Sequence, residues 1–357
     1  MTFKFGKEFS IQVFGESHGE GVGVIVEGCP AGLPIDKAHI QLELDRRRSG
    51  ASNLASSRSE SDIVDIHSGV FKNKSTGAPI AMSVPNVDVD SSTYEEIKDS
   101  PRPGHADYTA RVKYKGHHDF RGGGFFSGRI TASFVMGGSI AKLLLKAGGI
   151  EVLAHVVQIG AVRVTKEVPV QEIRTRVYTN DLRCADEESV PKMRDEIENA
   201  KKEGDSVGGI IECRILGTPA GIGEPIFDSV ESVISHAMFS IPAVKGIEFG
   251  SGFKGAALRG SENNDSPAIE EGRITWFQNN AGGILGGITN GAPVIFRVAF
   301  KPTPSISKPQ RTIDLEKMEE TTIRVRGRHD PCIVPRAVPV VEAMAAIAIT
   351  DLLRRAR

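Results

Sequence analysis

Hydrophobic and polar residues alternate along residues 9–14, where Phe, Ile and Val are separated by Ser and Gln. Alternation with a period of two is typical of a half-buried β-strand. A glycine-rich stretch follows, and after it the β-branched run at residues 24–26 favours a second strand. The pattern therefore predicts a β-hairpin whose connecting turn contains the sequence Glu-Ser-His-Gly at residues 16–19.

The same turn fits G-x-S-x-G at residues 15–19, the pattern of the nucleophile elbow in serine hydrolases. That elbow places its serine between a strand and a helix that follows directly. Here glycines alternate with other residues after Ser17, and a strand-forming run comes next, so a helix is disfavoured. We therefore interpret Ser17 as part of a hairpin turn and keep the hydrolase as a rival interpretation.

Helical periodicity and helix-boundary signals predict five helices. Asp36 is a favourable N-cap for the first, and Gly148 and Gly149 suit the C-terminal cap of the second. Asp228, with Glu231 three residues later, resembles a capping box at the start of the fourth. The predicted helices cover residues 37–48, about 129–147, 187–203, 228–241 and about 340 to the C-terminus.

One pattern occurs twice in the chain. It consists of a Val/Ile strand, a loop containing Pro-Ala-Gly and then a helix. The first copy starts at residue 22 and the second at residue 207, so they are 185 residues apart (207 minus 22). We interpret this as an internal duplication that gives two similar α+β halves, at approximately residues 9–150 and 200–355, within one domain of residues 1–357. A chance similarity is the alternative.

Composition places the chain in the globular class, since 39% of its 357 residues are hydrophobic and 25% are charged. The net charge of −1 gives no overall attraction to nucleic acid or to an anionic membrane, and we expect neither as a partner. Any cationic binding site must therefore be local.

Cysteine usage and the N-terminus suggest a soluble cytoplasmic protein. The first ten residues lack the apolar core of a signal peptide, and the most apolar stretch, residues 338–353, is too short to cross a bilayer. No C-x-x-C pair is present, so we expect reduced thiols and neither a zinc site nor a disulfide framework. The four cysteines are Cys29, Cys184, Cys213 and Cys332.

Arginine clusters form the first group of candidate binding sites. DRRRSG at residues 45–50 offers forked donors for phosphate or carboxylate, although a solvated helix end is the alternative. RGGGFFSGR at residues 121–129 is a glycine-rich turn leading into a helix, an arrangement suited to anions, and a plain helix cap is the alternative. RGRHDP at residues 326–331 combines cations with an acid and an imidazole, or is a salt-bridged surface turn.

Candidate acid–base chemistry lies in RPGHADYT, residues 102–109. The neighbouring prolines stiffen the approach to His105, whose ordinary pKa near 6.5 suits proton transfer, although a structural loop histidine is the alternative. Two further loops, NNAGGILGGITNG at residues 279–291 and KPTPSISKP at residues 301–309, allow close backbone approach and supply hydroxyl groups. Together these segments predict an enzyme for a small polyanion that uses acid–base groups and no structural metal.

These segments, in this order, resemble the chorismate synthase family, and the similarity extends from about residue 9 to residue 351. Ordered long motifs are far more specific than a five-residue pattern. The matching blocks are GESHGEGVGVIVEGCP at residues 15–30, DRRRSG, RPGHADYT, SGRIT at 127–131, KKEGDSVGG at 201–209, SIPAVKGIEFG at 240–250, GGILGG at 282–287, KPTPS at 301–305 and GRHDPC at 327–332.

The resemblance implies an α+β fold in which two pseudo-symmetric sheet–helix halves pack as a β-α-β sandwich. It implies a carbon–oxygen lyase that converts 5-enolpyruvylshikimate 3-phosphate to chorismate by anti 1,4-elimination of phosphate, the last common step toward the aromatic amino acids. Reduced FMN is required without net redox change, and a homotetramer is usual. The source of reducing equivalents stays open between NADPH at the enzyme and an external flavin reductase. A non-catalytic flavin-binding module of the same fold is the alternative.

The resemblance also implies residue roles. His18 would protonate the departing phosphate, His105 would hold or protonate the reduced flavin, and Asp330 would act as a base beside it. Substrate anions would bind Arg46, Arg47, Arg48 and Arg129. The positions that match flavin contacts are Arg47, Phe125, Phe126, Ser127, Pro242, Ala243, Gly286, Lys301, Pro302, Thr303, Pro304, Ser305 and Arg328.

Two positions depart from the family pattern. Members often have Arg-Ser-Ser-Ala-Arg where this chain has Phe-Phe-Ser-Gly-Arg at residues 125–129, which removes one positive charge and one hydroxyl near the flavin. Many members also carry Arg where Asn53 stands, a position linked to the reduced nicotinamide in bifunctional forms. We expect altered flavin contacts, and the case for an enzyme that reduces its own flavin is weakened.

Overall fold

The computed structural model describes residues 3–48, 61–87, 90–325 and 329–356. Asn53 and Arg328 lie outside the described residues. The α-helices of the described part are α1 Lys37–Arg47, α2 Ser92–Ile97, α3 Asp107–Lys113, α4 Thr131–Ala147, α5 Val170–Arg176, α6 Val190–Lys202, α7 Val230–Phe239, α8 Gly260–Asn263 and α9 Val334–Arg355.

The strands form two five-stranded antiparallel sheets and several short hairpins. Their bounds are β1 Lys4–Phe5, β2 Ser10–Gly15, β3 Gly21–Glu27, β4 Asp65–Ile66, β5 Val70–Phe71, β6 Lys74–Ser75, β7 Ile80–Pro85, β8 Glu151–Ile159, β9 Val162–Arg163, β10 Gly209–Leu216, β11 Val244–Phe249, β12 Pro267–Glu270, β13 Arg273–Trp276, β14 Ile284–Leu285, β15 Ile288–Thr289, β16 Val294–Phe300, β17 Gln310–Asp314 and β18 Glu319–Ile323.

The two large sheets enclose a layer of helices. The first sheet has the order β1-β2-β3-β7-β4, and the second has the order β11-β16-β10-β8-β9. Helix α4 packs on β2, β3 and β7 of the first sheet, α9 packs on β8 and β10 of the second, and α4 and α9 pack on each other. The fold is therefore the expected β-α-β sandwich of the α+β class.

The order of elements repeats in the two halves. The series β2, β3, α1, β4, β7, α4 is matched by β8, β10, α7, β11, β16, α9, and the strands take the same places in their sheets. The internal duplication itself stays a prediction. The second series begins at residue 151, so a boundary near residue 200 leaves out its first strand, because the segment with α5 and α6 separates β8 from β10.

The central helices are buried because most of their residues on every side are apolar, and the two buried acids of α9 are paired, Glu342 with Lys142 and Asp351 with the backbone N–H groups of residues 7–9. All residues from 337 to 352 of α9 are buried, and so are residues 131–141 of α4. A helix that is hydrophobic all round belongs in the interior of a protein. Within the described part, the segment Gly128–Ala147 is long and apolar enough to cross a membrane. However, 72% of its most apolar stretch is buried by the rest of the fold.

Most predicted elements are confirmed with shifted boundaries. The predicted hairpin is β2–β3, and Asp36 caps α1 by accepting a hydrogen bond from the Ala38 backbone N–H at 2.9 Å. Helix α7 begins at Val230, and its N-cap is Ser229 in place of Asp228, because the Ser229 hydroxyl accepts a hydrogen bond from the Ser232 backbone N–H at 3.1 Å. Helix α9 starts at Val334, six residues before the prediction, with a proline in its first turn, where a missing N–H costs little.

Candidate active site

A cavity of about 1040 Å³ opens where the two halves meet. Ends of four of the longer helices line it: the C-terminal ends of α1 and α7 and the N-terminal ends of α4 and α9. Helix N-termini carry free N–H groups and partial positive charge, so two of these ends favour anions in the cavity. The helices at corresponding places in the two series, α1 with α7 and α4 with α9, therefore meet at the same cavity.

His18 lies in the predicted turn between β2 and β3 and is 8% exposed. Its Nδ1 lies 2.8 Å from the Ser91 hydroxyl, and its ring meets the Tyr94 ring edge-on at 5.2 Å between centroids. The Asn86 side-chain N–H groups donate to the backbone carbonyls of Glu16 and Gly19 at either side of His18, at 2.9 and 2.8 Å. These contacts hold the imidazole at the wall of the cavity.

His105 is held by a carboxylate and an arginine. Its Nδ1 lies 2.6 Å from Asp107 Oδ1, and Arg102 binds both oxygens of Asp107. Burial alone would raise the pKa of Asp107, but the hydrogen bonds from Arg102 and His105 hold it well below its ordinary value. Because an ionised carboxylate can only accept hydrogen bonds, Nδ1 is the nitrogen that donates to Asp107, and Nε2 is left for chemistry.

Two consecutive glycines separate the imidazoles. A Cβ built on Gly122 would lie 2.2 Å from His18 Cδ2, and a Cβ on Gly123 would lie 3.0 Å from His105 Cε1. Both glycines have positive φ, at 60° and 81°, which L side chains rarely adopt. The glycine-rich turn thus brings both histidines against one stretch of backbone. From the sequence this turn was interpreted only as an anion-binding site or a helix cap.

Asp62 binds both Arg47 and Arg129, which together form the predicted anion site. Its Oδ2 accepts from Arg47 Nη2 at 2.6 Å, its Oδ1 pairs with Arg129, and all three side chains are buried. Burial alone would raise the pKa of Asp62, but the two guanidinium groups lower it. Burial lowers the pKa of Arg47 to about 10, so this guanidinium keeps its charge near neutral pH. Two cations against one anion leave a net positive charge at this end.

Asp330 lines the cavity beside the N-terminus of α9. Its carboxylate pairs with Arg336, and the Arg336 Nε donates to the backbone carbonyl of Arg47 at 3.3 Å. The late acidic residue of the sequence is thereby joined to the arginine cluster of α1.

The remaining wall combines aromatic rings with hydroxyl and amino groups. Phe125 packs on Phe3 with ring centroids 4.5 Å apart, and Ser305 accepts from Arg102 at 3.3 Å. Burial, and then the nearby Lys245, lower the pKa of Lys301. The predicted flavin-contacting residues on the cavity wall are Arg47, Phe125, Phe126, Ser127, Pro242, Ala243, Lys301, Thr303, Pro304 and Ser305.

Four predicted site residues do not line this cavity. Arg46 turns away because successive helix residues point about 100° apart, and it pairs with Glu43 while its guanidinium stacks on Tyr178 at 3.9 Å. Arg48 pairs with Asp45 at 3.5 Å near the surface, and Pro302 does not reach the wall although its neighbours Lys301 and Thr303 do.

Gly286 lies far from the cavity within one chain. It forms the β14–β15 turn with Gly287, whose carbonyl accepts from the backbone N–H of Val230 at the start of α7. The cavity lies at the other end of that ten-residue helix, about 15 Å away at a rise of 1.5 Å per residue. A contact of Gly286 with a ligand in this cavity would need a second chain.

Sequence reasoning missed the residues that orient the predicted ones. Tyr94, Arg102 and Arg336 line the cavity, and Asp62, Asn86, Ser91 and Asp107 hold its histidines and arginines. Each is a single polar or aromatic residue, and most of their partners are distant in sequence and come close only in the folded chain. Arg102 and Asp107 lay inside the RPGHADYT segment, so their spacing around His105 was a usable signal.

In the described parts of the chain, no group of three or more His, Cys, Asp or Glu residues is arranged to hold a metal ion. The four cysteines are buried and unpaired.

The profile of the chorismate synthase family matches residues 9–353. The chain belongs to the chorismate synthase family. The chorismate synthase of Korarchaeum cryptofilum (strain OPF8) is 55% identical over 351 residues, which cover 98% of this chain and 97% of that protein. The chorismate synthase of Methanosarcina mazei is 52% identical over 351 residues, covering 98% and 96%.

A crystal structure of a chorismate synthase has the same fold. Its TM-score is 0.77 at 31% identity, and the match covers 98% of this chain and 92% of that chain. Family and fold are therefore the ones that the sequence motifs indicated. As a member of the chorismate synthase family, the chain is an enzyme of the shikimate pathway that acts on a small molecule.

Proposed function

We propose that this protein catalyses the anti 1,4-elimination of phosphate from 5-enolpyruvylshikimate 3-phosphate to give chorismate, as a carbon–oxygen lyase that depends on reduced FMN. The main support is that one cavity gathers His18, His105, Asp330, Arg47 and Arg129 from segments that span more than 300 residues of sequence. A cationic cavity with two imidazoles and a carboxylate suits an acidic substrate that loses phosphate.

Substrate binding falls to the arginine end of the cavity. The substrate carries one phosphate and two carboxylates, and guanidinium groups bind such anions through paired hydrogen bonds. Arg47 and Arg129 are held by Asp62, so their order is established before the substrate arrives, and Arg336 adds a third cation at the cavity wall. The buried Nε of Arg47 lacks a hydrogen-bond partner within the described structure, as expected for a group that awaits a ligand.

Proton transfer falls to the histidines and Asp330. When the C–O bond breaks, phosphate leaves with the bonding electrons, and a proton given by the His18 imidazole neutralises part of its charge. The ring C–H bond also breaks, and Asp330 provides an anionic oxygen at the wall for proton acceptance. The Ser17 hydroxyl is buried without a partner among the described residues, and we assign it to the turn and not to nucleophilic attack.

The cavity fits a flavin in addition to the substrate. Its volume of about 1040 Å³ is at the upper limit of the usual range of about 300–1000 Å³ for one ligand. The aromatic pair Phe125 and Phe126 offers an apolar wall, and the buried Thr303 hydroxyl has no hydrogen-bond partner in the described structure. When bound, reduced FMN supplies electron density to the elimination and is recovered unchanged.

The residues that would hold the flavin come from both halves. Ser127 and His105 belong to the first half, whereas Ala243, Lys301 and Ser305 belong to the second. His105 would present its Nε2 as a proton donor or hydrogen-bond partner. The residues Phe125 and Phe126 offer stacking surface where relatives often have an arginine and a serine, so we expect flavin binding here to depend less on charge.

Phosphate release tests the function. Anaerobic incubation with substrate and reduced FMN should release inorganic phosphate and form chorismate, and omission of the flavin should stop both. His18→Ala and His105→Ala should each lower the rate by about 10²–10⁴-fold, the usual range for general acid–base groups. Ser17→Ala is the neighbouring control and should lose far less. Flavin binding without phosphate release would leave the non-catalytic module of the same fold as the better description.

We further propose a homotetramer, as the family resemblance implies, and a cytoplasmic protein without nucleic-acid or membrane partners, as its net charge and cysteine usage suggest. The reductant, NADPH at this enzyme or an external flavin reductase, can be identified by following flavin reduction by NADPH with the purified protein alone. Reduction under those conditions would support a bifunctional enzyme, and no reduction would favour the external reductase.

A further inference from the structure

Asn86 follows β7 and connects the β2–β3 turn, which contains His18, with Arg129 of the anion site. Its side-chain Nδ2 donates to the carbonyls of Glu16 and Gly19, at 2.9 and 2.8 Å, and its Oδ1 accepts from Arg129 Nε at 2.7 Å. Its backbone N–H donates to the carbonyl of Glu20 at 3.0 Å. Both side-chain N–H groups are therefore used by the turn, and the side-chain oxygen is used by the arginine.

These bonds set the geometry between two groups that must act together. His18 lies between the two carbonyls that Asn86 binds, so the amide closes the turn around it. Arg129 has further anchors, among them Asp62 and the backbone carbonyl of Pro85, the latter at 3.0 Å. Loss of the Asn86 amide would thus release the turn more than the arginine.

We propose that Asn86 is a positioning residue that fixes the His18 imidazole relative to the Arg129 guanidinium. This inference rests on the proposed function in taking His18 as the proton donor and Arg129 as an anion-binding group. A proton donor must meet the leaving oxygen within hydrogen-bond distance, and a displacement of about 1 Å can cost about 10²-fold in rate.

Steady-state kinetics of Asn86→Ala give the first test. We expect kcat to fall by about 10–100-fold while KM for the substrate changes by less than about threefold, because Arg129 keeps its other anchors. A change in KM as large as the change in kcat, or a change in KM alone, would overturn the assignment.

The double variant His18→Ala/Asn86→Ala separates positioning from a general structural effect. If Asn86 acts through His18, its loss should change the rate of the His18→Ala enzyme by less than about twofold, because coupled residues are not additive. A full additional 10–100-fold loss would overturn the proposal. If Asn86→Ala does not fold, Asn86→Ser, which keeps one hydroxyl for hydrogen bonding, replaces it in the same cycle with a smaller expected effect on kcat.

Asn180 provides a matched control. Its Nδ2 also donates to two loop carbonyls, those of Arg176 at 3.1 Å and Cys184 at 2.8 Å, and like Asn86 it is half-buried, but it lies off the cavity. Asn180→Ala should lower the melting temperature with kcat and KM unchanged.

Imidazole NMR with ¹⁵N-histidine gives a readout that needs no turnover. Asn86→Ala should shift or broaden the His18 signals, assigned by their absence in His18→Ala, while the His105 signals and the spectrum of Asn180→Ala stay as in wild type. Unchanged His18 signals would overturn the inference. If the wild type releases no phosphate, the proposed function fails on its own, and this NMR comparison still decides whether Asn86 orders His18.

Discussion

At the scale of single residues, the two glycines between the imidazoles leave different amounts of room for a side chain. Gly122→Ala would place a methyl group 2.2 Å from His18 Cδ2, whereas Gly123→Ala would place one 3.0 Å from His105 Cε1. The first ring must move and the second needs to yield only slightly. We expect kcat to fall by about 10²-fold or more for Gly122→Ala and by about tenfold or less for Gly123→Ala, measured as phosphate release.

Gly116→Ala is the matched control for that pair. Gly116 has a similar positive φ of 80°, but a Cβ built on it meets nothing within 4 Å. This variant carries the same backbone strain, of about 1 kcal/mol, without a contact at the site. Its kcat should match wild type, and a loss as large as that of Gly122→Ala would trace the effect to strain instead of to the histidine.

Asp107 makes a pH-dependent contribution to stability. Its carboxyl has a folded-state pKa below the ordinary value of about 3.9, so it stabilises the fold above that pH and the stabilisation is lost as the pH falls further. The difference in free energy of unfolding between wild type and Asp107→Asn should be constant above about pH 5 and shrink below about pH 4. Urea titrations from pH 2 to pH 7 would measure it.

Asp45→Asn provides the comparison, because its carboxylate is 40% exposed and pairs loosely with Arg48. This variant should cost less than about 0.5 kcal/mol at every pH. A wild-type to Asp107→Asn difference that does not change between pH 2 and pH 7 would contradict the linkage between the carboxylate, Arg102 and His105.

At the scale of elements, helix α1 carries adjacent arginines with different duties. Arg47 reaches into the cavity, and Arg46 stacks on Tyr178 and pairs with the buried Glu43. Arg47→Met should raise KM for the substrate by at least about tenfold through the loss of a charge-assisted contact. Arg46→Met should lower the free energy of unfolding by about 1 kcal/mol through its lost cation–π contact, with KM within about threefold.

Kinetics and urea unfolding of the two variants check this division. A KM increase in Arg46→Met equal to that of Arg47→Met would restore Arg46 to the substrate site. The sequence could not make the distinction, because a run of three arginines at a helix end gives no information on which side chain faces the neighbouring elements.

Element prediction succeeded where the signal is local. The cap of α1, the long apolar helix α4 and the β2–β3 hairpin follow from side chains within a few residues of each other. Helices α2, α3, α5 and α8 were missed, because four to seven residues give too little periodicity. Ser91, just before α2, is paired with His18 at a separation of 73 residues.

At the scale of the whole molecule, the site depends on both halves. His18 and Arg129 come from the first series of elements, and Asp330 and Lys301 come from the second. Motif chemistry indicated an anion-binding enzyme, and the family resemblance indicated which residues belong together. The buried counterion Asp62 and the amide of Asn86 were beyond reach, because long-range pairing of single polar residues leaves no pattern in one sequence.

Exposed apolar residues on and near the β12–β13 hairpin are the expected contact surface between chains of the proposed tetramer. Ile269 and Ile274 face each other across the β12–β13 hairpin and are 80% and 73% exposed, and Phe253 and Phe277 are also exposed. A two-stranded hairpin is marginal alone, and exposed apolar clusters mark protein contacts. Light scattering should give a mass near four times 38.3 kDa for wild type and a smaller assembly for the double variant Ile269→Lys/Ile274→Lys.

Met318→Lys controls for added charge, since Met318 is 81% exposed at the β17–β18 turn and its substitution should keep the wild-type mass. A wild-type mass of one chain would refute the tetramer, and an unchanged assembly in the hairpin variant would move the contact elsewhere. Since Gly286 lies off the cavity of its own chain, phosphate release by the variant decides whether one chain is sufficient for activity when light scattering gives the mass of a single chain. Full activity in single chains would remove Gly286 from the flavin site.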